Sequence, residues 1–214
     1  PVSRLRAITS GELSPVQRIA LDEAGHLGIP VTAIRTRFAW VDNVAFYTGF
    51  HRHASINPCF IAAAEAIRDR FAGTARPAPS RMLYISRIAA AARPLKNEAT
   101  LAERAVRLGY DVVDPGSMPF PDQVRLFAGA RVIAGPHGAG LANAAFSNPG
   151  SMVVELRPMN RPGQSPMLNE TYSRIAAARS LYYDFAIFAN PPETAEWDID
   201  LERATTILTR APAW

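Results

Sequence analysis

The amino-acid sequence predicts an α/β protein whose larger, C-terminal part is a parallel sheet with helices on both faces. After residue 80, short apolar segments of strand length alternate with segments whose apolar residues recur at helical spacing. That alternation is what a parallel sheet requires, since each crossover between parallel strands carries a helix. In addition, Val132-Ile133-Ala134 runs straight into Gly135-Pro136-His137-Gly138-Ala139-Gly140, so the residue types pass from strand to tight turn to helix within a few positions. This half of the chain is therefore expected to be Rossmann-like, and the N-terminal part a partial α/β segment.

In chain order, Ser14-Pro15-Val16-Gln17 reads as an N-cap, a proline at the first helical position and a capping glutamine. The helix they open is expected to stop between Gly25 and Gly28, with strands following over 30–34 and 41–47. Asn57-Pro58 opens a second helix, whose Phe60, Ile61, Ala64, Ile67 and Phe71 recur at helical spacing before Gly73 ends it. The stretch from Thr74 to Ser80 is rich in proline and small residues, as linkers are, and places a domain boundary between residues 1–76 and 77–214. Beyond it the pattern predicts strand 81–87, helix 97–108 stopped by Gly109, strand 110–114, a short helix 121–127 and strand 131–135. Helix 138–146, strand 151–156 and helix 168–178 follow, and Asp198-Ile199-Asp200 looks like the start of a terminal helix.

Composition bounds the function classes. With 214 residues, 48% hydrophobic and 20% charged, the chain has ordinary globular composition and enough apolar mass for a core. No uncharged apolar run approaches the roughly 18 to 20 residues of a bilayer span, so no membrane span is expected in this chain. Cys59 has no disulfide partner within the chain, which fits a reducing compartment. A cytoplasmic location is expected, with association at the inner face of the membrane compatible with it. Pro1 stands where an initiator would, without a basic-then-apolar leader, and a trimmed or processed chain is expected. The net charge of +4 suits an anionic partner. Nucleic acid is not the expected one, because no aromatic-basic interleaving or recognised reading motif is present.

In open α/β sheets ligands bind at the carboxyl ends of the strands. The loop from Gly135 to Leu141 lies at such an end. Glycines let backbone approach a phosphate closely, and the N–H groups and dipole of a following helix favour its charge. Gly138, Ala139 and Gly140 are thus candidate phosphate contacts and His137 a candidate hydrogen-bond donor; alternatively, the glycines serve only a sharp, closely packed turn. A second cluster follows the first strand of this half: Ser86-Arg87, then Arg93, Lys96, Asn97 and Glu98. In a parallel sheet it opens on the same edge as the glycine loop. Arg87 suits phosphate because a guanidinium offers paired, charge-assisted hydrogen bonds. The alternative is a loop of solvated charges, with Asn97 capping its helix and Glu98 favoured by the dipole. Glu155 stands near the end of the apolar run Met152-Val153-Val154-Glu155-Leu156, where nucleotide folds often bind ribose hydroxyls; a paired structural charge is the other account. His26, His51, His53 and Cys59 lack a recognised ligand spacing, and Asp198-Ile199-Asp200 is no loop-borne aspartate pair. Neither a metal site nor an obligatory metal cofactor is expected.

These residues resemble the family-61 glycosyltransferases. The family's tyrosine-isoleucine-serine-arginine strand stands here as Tyr84-Ile85-Ser86-Arg87, and its arginine ahead of asparagine-glutamate as Arg93 before Asn97-Glu98. Its glycine-proline-histidine-glycine-alanine-glycine-leucine loop stands as Gly135 through Leu141. Gln123 to Phe127 matches a glutamine-containing helix, and Asn148-Pro149-Gly150-Ser151 leads into Val154-Glu155-Leu156 as in the family, so the likeness covers residues 81–157. It implies inverting transfer of a sugar from a nucleotide-sugar donor to a glycan or polysaccharide acceptor. It also implies a two-domain, GT-B-like architecture with the donor in the C-terminal half and residues 1–76 as the remainder of the acceptor-side domain. Arg87, Asn97, Glu98, His137, Gly138, Ala139, Gly140 and Glu155 carry over as donor-side residues, with Ser86, Arg93 and Lys96 secondary. The sequence departs from the family at Ala142, where threonine is frequent, and in lacking its histidine- and tryptophan-rich stretch. No residue identifies itself as the catalytic base, and nothing speaks to oligomeric state. A non-catalytic nucleotide- or glycan-binding module derived from a transferase fold is the rival account.

Overall fold

The computed structural model describes residues 5–8, 31–34, 51–52, 55–56, 58–76, 78–88, 95–159, 171–189 and 196–211. The chain divides into two compact units, Pro1–Gly49 and Phe50–Trp214. In the first, β1 (Leu5–Ile8) and β2 (Val31–Ile34) pair in parallel, Leu5 opposite Val31 and Ile8 opposite Ile34. The strand expected over 30–34 is β2; the helix expected from Ser14 and the strand over 41–47 lie outside the described residues.

The second unit opens with a two-residue antiparallel ribbon, β3 (His51–Arg52) with β4 (Ser55–Ile56). Its centre is a five-stranded sheet of β5 (Arg81–Ile85), β6 (Asp111–Val113), β7 (Ala130–Pro136), β8 (Met152–Pro158) and β9 (Tyr182–Phe188). The spatial order is β6-β5-β7-β8-β9, and every pairing is parallel. The α/β, Rossmann-like fold expected from the alternation is the fold observed, with β9 adding one strand past the last expected one.

Side chains alternate across a strand, so each central strand feeds two cores. Leu83, Ile85, Ile133 and Val153 enter one core, while Tyr84, Val132, Ala134, Val154 and Leu156 enter the other. The first core is closed by α1 (Pro58–Ala72), α3 (Phe120–Ala128), a 3₁₀ run (Ala139–Phe146) and α4 (Thr171–Ala178). The second is closed by α2 (Glu98–Arg107) and α5 (Leu201–Arg210). Asp200 starts α5 as its sequence position suggests, its side chain accepting from the Arg203 N–H at 3.0 Å.

Two expectations are revised. The segment read as an α-helix over 138–146 is wound as a 3₁₀ run, in which Leu141 N–H donates to Gly138 O at 3.1 Å and Ser147 N–H to Ala144 O at 3.0 Å. Residues three apart stack in such a run, and Leu141, Ala144 and Ser147 are all buried, with Ala145 and Phe146 joining them at its end. The boundary placed at 76/77 falls inside the second unit. Phe60, Ala64, Ile67 and Phe71 of α1 pack into the first core, and Phe71 meets Phe120 edge-on with centroids 6.0 Å apart. A helix with that apolar face has to bury it, and α3 and the 3₁₀ run supply the surface. The proline-rich stretch therefore joins two elements of one unit, after Gly73, at φ 83°, has ended α1.

Candidate functional site

Counted along the chain, the five strands lie in the order 2-1-3-4-5, and the order reverses between β5 and β7. In doubly wound sheets that switch point leaves a crevice at the carboxyl ends of the two strands. A cleft of about 480 Å³ opens there, a size suited to a small ligand. Ser86 and Arg87 come to it from the end of β5, Pro136 and Gly138 to Gly140 from the end of β7, and Asp114 to Gly116 from the end of β6.

The glycine loop and Arg87 meet directly. The Arg87 guanidinium donates through Nη1 to the His137 carbonyl and lies across Gly138, where an added Cβ would stand 2.9 Å from both Cδ and Cζ of the arginine. Gly138 is glycine because the arginine occupies the space a side chain would take. At Gly135 the obstacle is backbone: a Cβ would come within 2.7 Å of the Ile85 carbonyl. The first N–H groups of the run that begins at Ala139 have no acceptor inside it, so this end of the loop presents donors beside a cation.

Glu98 holds the arginine from below. It is buried at the start of α2, and its Oε1 accepts the Arg87 backbone N–H at 2.5 Å. Burial pushes its carboxyl above the usual range, while the Arg87 N–H, the Ser86 hydroxyl and the Arg87 charge draw it back. Its Oε2 and the hydroxyl of buried Tyr84 have no hydrogen-bond partner among the described residues. The carboxylate thus fixes the Ser86–Arg87 corner and does not line the cleft.

His137 and Glu155 come together with each other. The His137 N–H donates to Leu156 O at 2.7 Å, its imidazole Nδ1 meets Glu155 Oε1, and its ring tilts against Tyr172 with centroids 5.3 Å apart. The ring faces β8 and α4; the main chain, not the imidazole, serves the Arg87 side. Glu155 has 0% exposure, with Tyr183 O–H donating to Oε2 at 2.5 Å and Arg157 Nε at 3.5 Å from Oε1. Burial, and then the hydrogen bond and charge of Glu155, hold the Tyr183 phenol protonated far above its ordinary value. The carboxylate expected on ribose is therefore engaged by protein donors at both oxygens.

The remaining candidates lie elsewhere. Asn97 does not cap α2 with its side chain: its amide donates to Ile199 O at 2.7 Å and its Oδ1 accepts from Ile199 N–H at 3.1 Å. Lys96 is exposed and pairs with Glu196 at 3.2 Å, and its N–H donates to Trp197 O. Both belong to a strap binding the segment before α2 to the segment before α5, completed by a bridge between Leu95 and Trp197. Arg93 lies outside the described residues, as do the side chains of His51 and Cys59 and all of His26 and His53. Among the described residues no three His, Cys, Asp or Glu side chains gather as metal ligands, and no helix is long and apolar enough to cross a membrane.

Sequence reasoning passed over Asp114-Pro115-Gly116 and Tyr172. Asp114 Oδ1 accepts from Gly116 N–H at 2.9 Å and shapes a cleft wall. An Asp-Pro-Gly triplet at a strand end is a readable turn signal. Tyr172 O–H donates to Gly138 O at 2.6 Å, a contact across 34 residues that no local pattern announces.

In sequence, the family model for Glycosyltransferase 61 matches residues 25–154. That stretch holds Arg87, Glu98 and the whole glycine loop. No curated protein matches the chain. With the family model covering more than half of the sequence and the switch-point cleft built from that family's motifs, the chain belongs to the glycosyltransferase 61 family.

Proposed function

We propose that this chain binds the donor of an inverting sugar transfer, a nucleoside diphosphate sugar, with its diphosphate between Arg87 and the turn from Gly138 to Gly140. The observation that carries this is the placement of the Arg87 guanidinium across Gly138, at the head of the 3₁₀ run, in the switch-point cleft. In sugar transfer the diphosphate departs as an anion, and donors fixed in advance at the place where that charge develops lower the barrier. The loop N–H groups and the arginine are such donors. A glycan or polysaccharide hydroxyl, stripped of its proton by a base, attacks the anomeric carbon from the face opposite the departing diphosphate. The charge on the leaving group is met by protein groups, so we expect binding without an obligatory metal.

Calorimetry with nucleoside mono- and diphosphates tests the reading. The diphosphate should bind at least tenfold tighter than the monophosphate, and Arg87→Ala should remove most of that gap, since charge-assisted hydrogen bonds contribute about 1.5 to 3 kcal/mol. A chelator should leave the gap unchanged. Equal affinities for the two nucleotides would reduce the loop to a closely packed turn, and donor binding without turnover would mark a non-catalytic module.

A further inference from the structure

We propose that Glu155 is a positioning residue for the phosphate site, acting through His137, and that it does not touch the ribose. The inference rests on the donor reading above. A carboxylate only accepts hydrogen bonds, so the imidazole nitrogen facing it, Nδ1, carries a hydrogen, and both the tautomer and the plane of the ring are set by Glu155. Glu155 is itself immobile, because Tyr183 and Arg157 hold it from the other sides and it has no exposed surface for a sugar to reach.

Sheet register explains why the two residues meet. Glu155 on β8 lies opposite Gly135 on β7, two positions before His137, and the next backbone contact is the His137 N–H on Leu156 O. The two peptides after the imidazole are pinned as well, with the Arg87 guanidinium on the His137 carbonyl and Tyr172 O–H on the Gly138 carbonyl. The carbonyl that aims Arg87 therefore belongs to the residue whose side chain Glu155 locks. Loss of that lock lets the ring turn and the peptide follow, and the guanidinium loses its fixed acceptor. Tyr183, Arg157 and Tyr172 belong to the same support.

Inorganic pyrophosphate separates this role from a ribose contact, because it carries no sugar. On the whole chain, Glu155→Gln should weaken pyrophosphate binding about tenfold, the size of one charge-assisted hydrogen bond. His137→Ala should do the same, whereas His137→Asn, whose amide N–H stands near the place of Nδ1–H, should restore binding. Nitrogen NMR of His137 should show hydrogen on Nδ1 in the parent protein and a mixture of tautomers in Glu155→Gln. Tyr183→Phe removes one donor from Glu155 and leaves the charge; a loss of about threefold is expected, and it serves if Glu155→Gln does not fold. Unchanged pyrophosphate affinity in folded Glu155→Gln or Tyr183→Phe, with nucleotide binding weakened instead, would return Glu155 to the ribose and overturn the proposal. A parent protein that binds no pyrophosphate would remove the donor reading itself, and the proposal with it.

Discussion

At the edge where the strands of the sheet begin, two arginines are buried against the carbonyl ends of helical segments, whereas at the edge where the strands end an arginine lies across the N–H end of one. Arg68 donates to Gly73 O, Ala75 O and Asn148 Oδ1, the last at 2.8 Å, and Arg179 donates to Ser147 O and to Glu65 Oε1 at 2.7 Å. Gly73 and Ser147 follow the last residues of α1 and of the 3₁₀ run, where carbonyls lack partners and the backbone dipole is negative. The same 3₁₀ run therefore meets an arginine at each end. Arg179 complements its carbonyl end, while Arg87 lies across Gly138 at its N–H end, where the partial charge has the arginine's own sign. The first arrangement lies buried within the fold, away from the cleft. The second lines the switch-point cleft, and the donor reading proposed above rests on that contrast more than on the presence of glycines.

Four substitutions test the contrast, beginning with the largest expected effect. Arg68→Ala should lower stability by about 3 kcal/mol in denaturant titrations, because it strands buried acceptors, while the folded fraction keeps its pyrophosphate affinity. Arg87→Ala should show the reverse pattern. If both lost stability alike, the two edges would not differ in kind. The glycines sharpen the same point on a smaller scale. Gly135→Ala drives a methyl onto the Ile85 carbonyl and should cost about 1 to 3 kcal/mol, whereas Gly138→Ala meets an arginine side chain, which can move, and no backbone. Gly138→Ala should melt with the parent and bind pyrophosphate several-fold more weakly.

The smallest effect concerns Glu98, the carboxylate beneath Arg87. Burial raises its folded-state value, so the fold favours the protonated acid. That contribution is complete below the ordinary glutamate value and is lost as pH rises through the higher folded value. Glu98→Gln carries no such proton, keeps an oxygen for the Arg87 N–H, and should gain on the parent protein in stability from acid to neutral pH. Parallel stability curves for the two proteins would mean that Glu98 ionises as freely as a surface glutamate.

Periodicity and turn chemistry made the sheet legible. Strands β5, β7 and β8 were visible because both of their faces are largely buried and apolar runs follow from that, as in Val132-Ile133-Ala134. Tyr182–Phe188 carries the aromatic and branched residues of a strand, yet Tyr182, Asp184 and Phe185 face solvent on an edge and blur the alternation. In the site, Arg87 and the glycine loop could be brought together from sequence, because parallel strands put their ends on one edge. The partners of Glu155 could not. They depend on the β7–β8 register and on Tyr183 of β9, and a carboxylate on an apolar strand looks the same whether it meets a ribose or a histidine. The partner of Asn97 was hidden for a related reason, since the Ile199 backbone that claims its amide is 102 residues away.

The strand order has a consequence for how the chain acquires its site. The Arg87–His137 contact joins residues 50 apart, and β6, α2 and α3 are threaded between them before β7 can settle on the free side of β5. Contacts of such long separation are reached late, after the entropy of closing the intervening loop has been overcome. A chain released before β7 has docked has an arginine corner and a glycine turn but no crevice. On the donor reading proposed above, recovery of pyrophosphate binding during refolding should therefore report the docking of β7 on β5, and an anion present at that moment should favour the chains in which it has occurred.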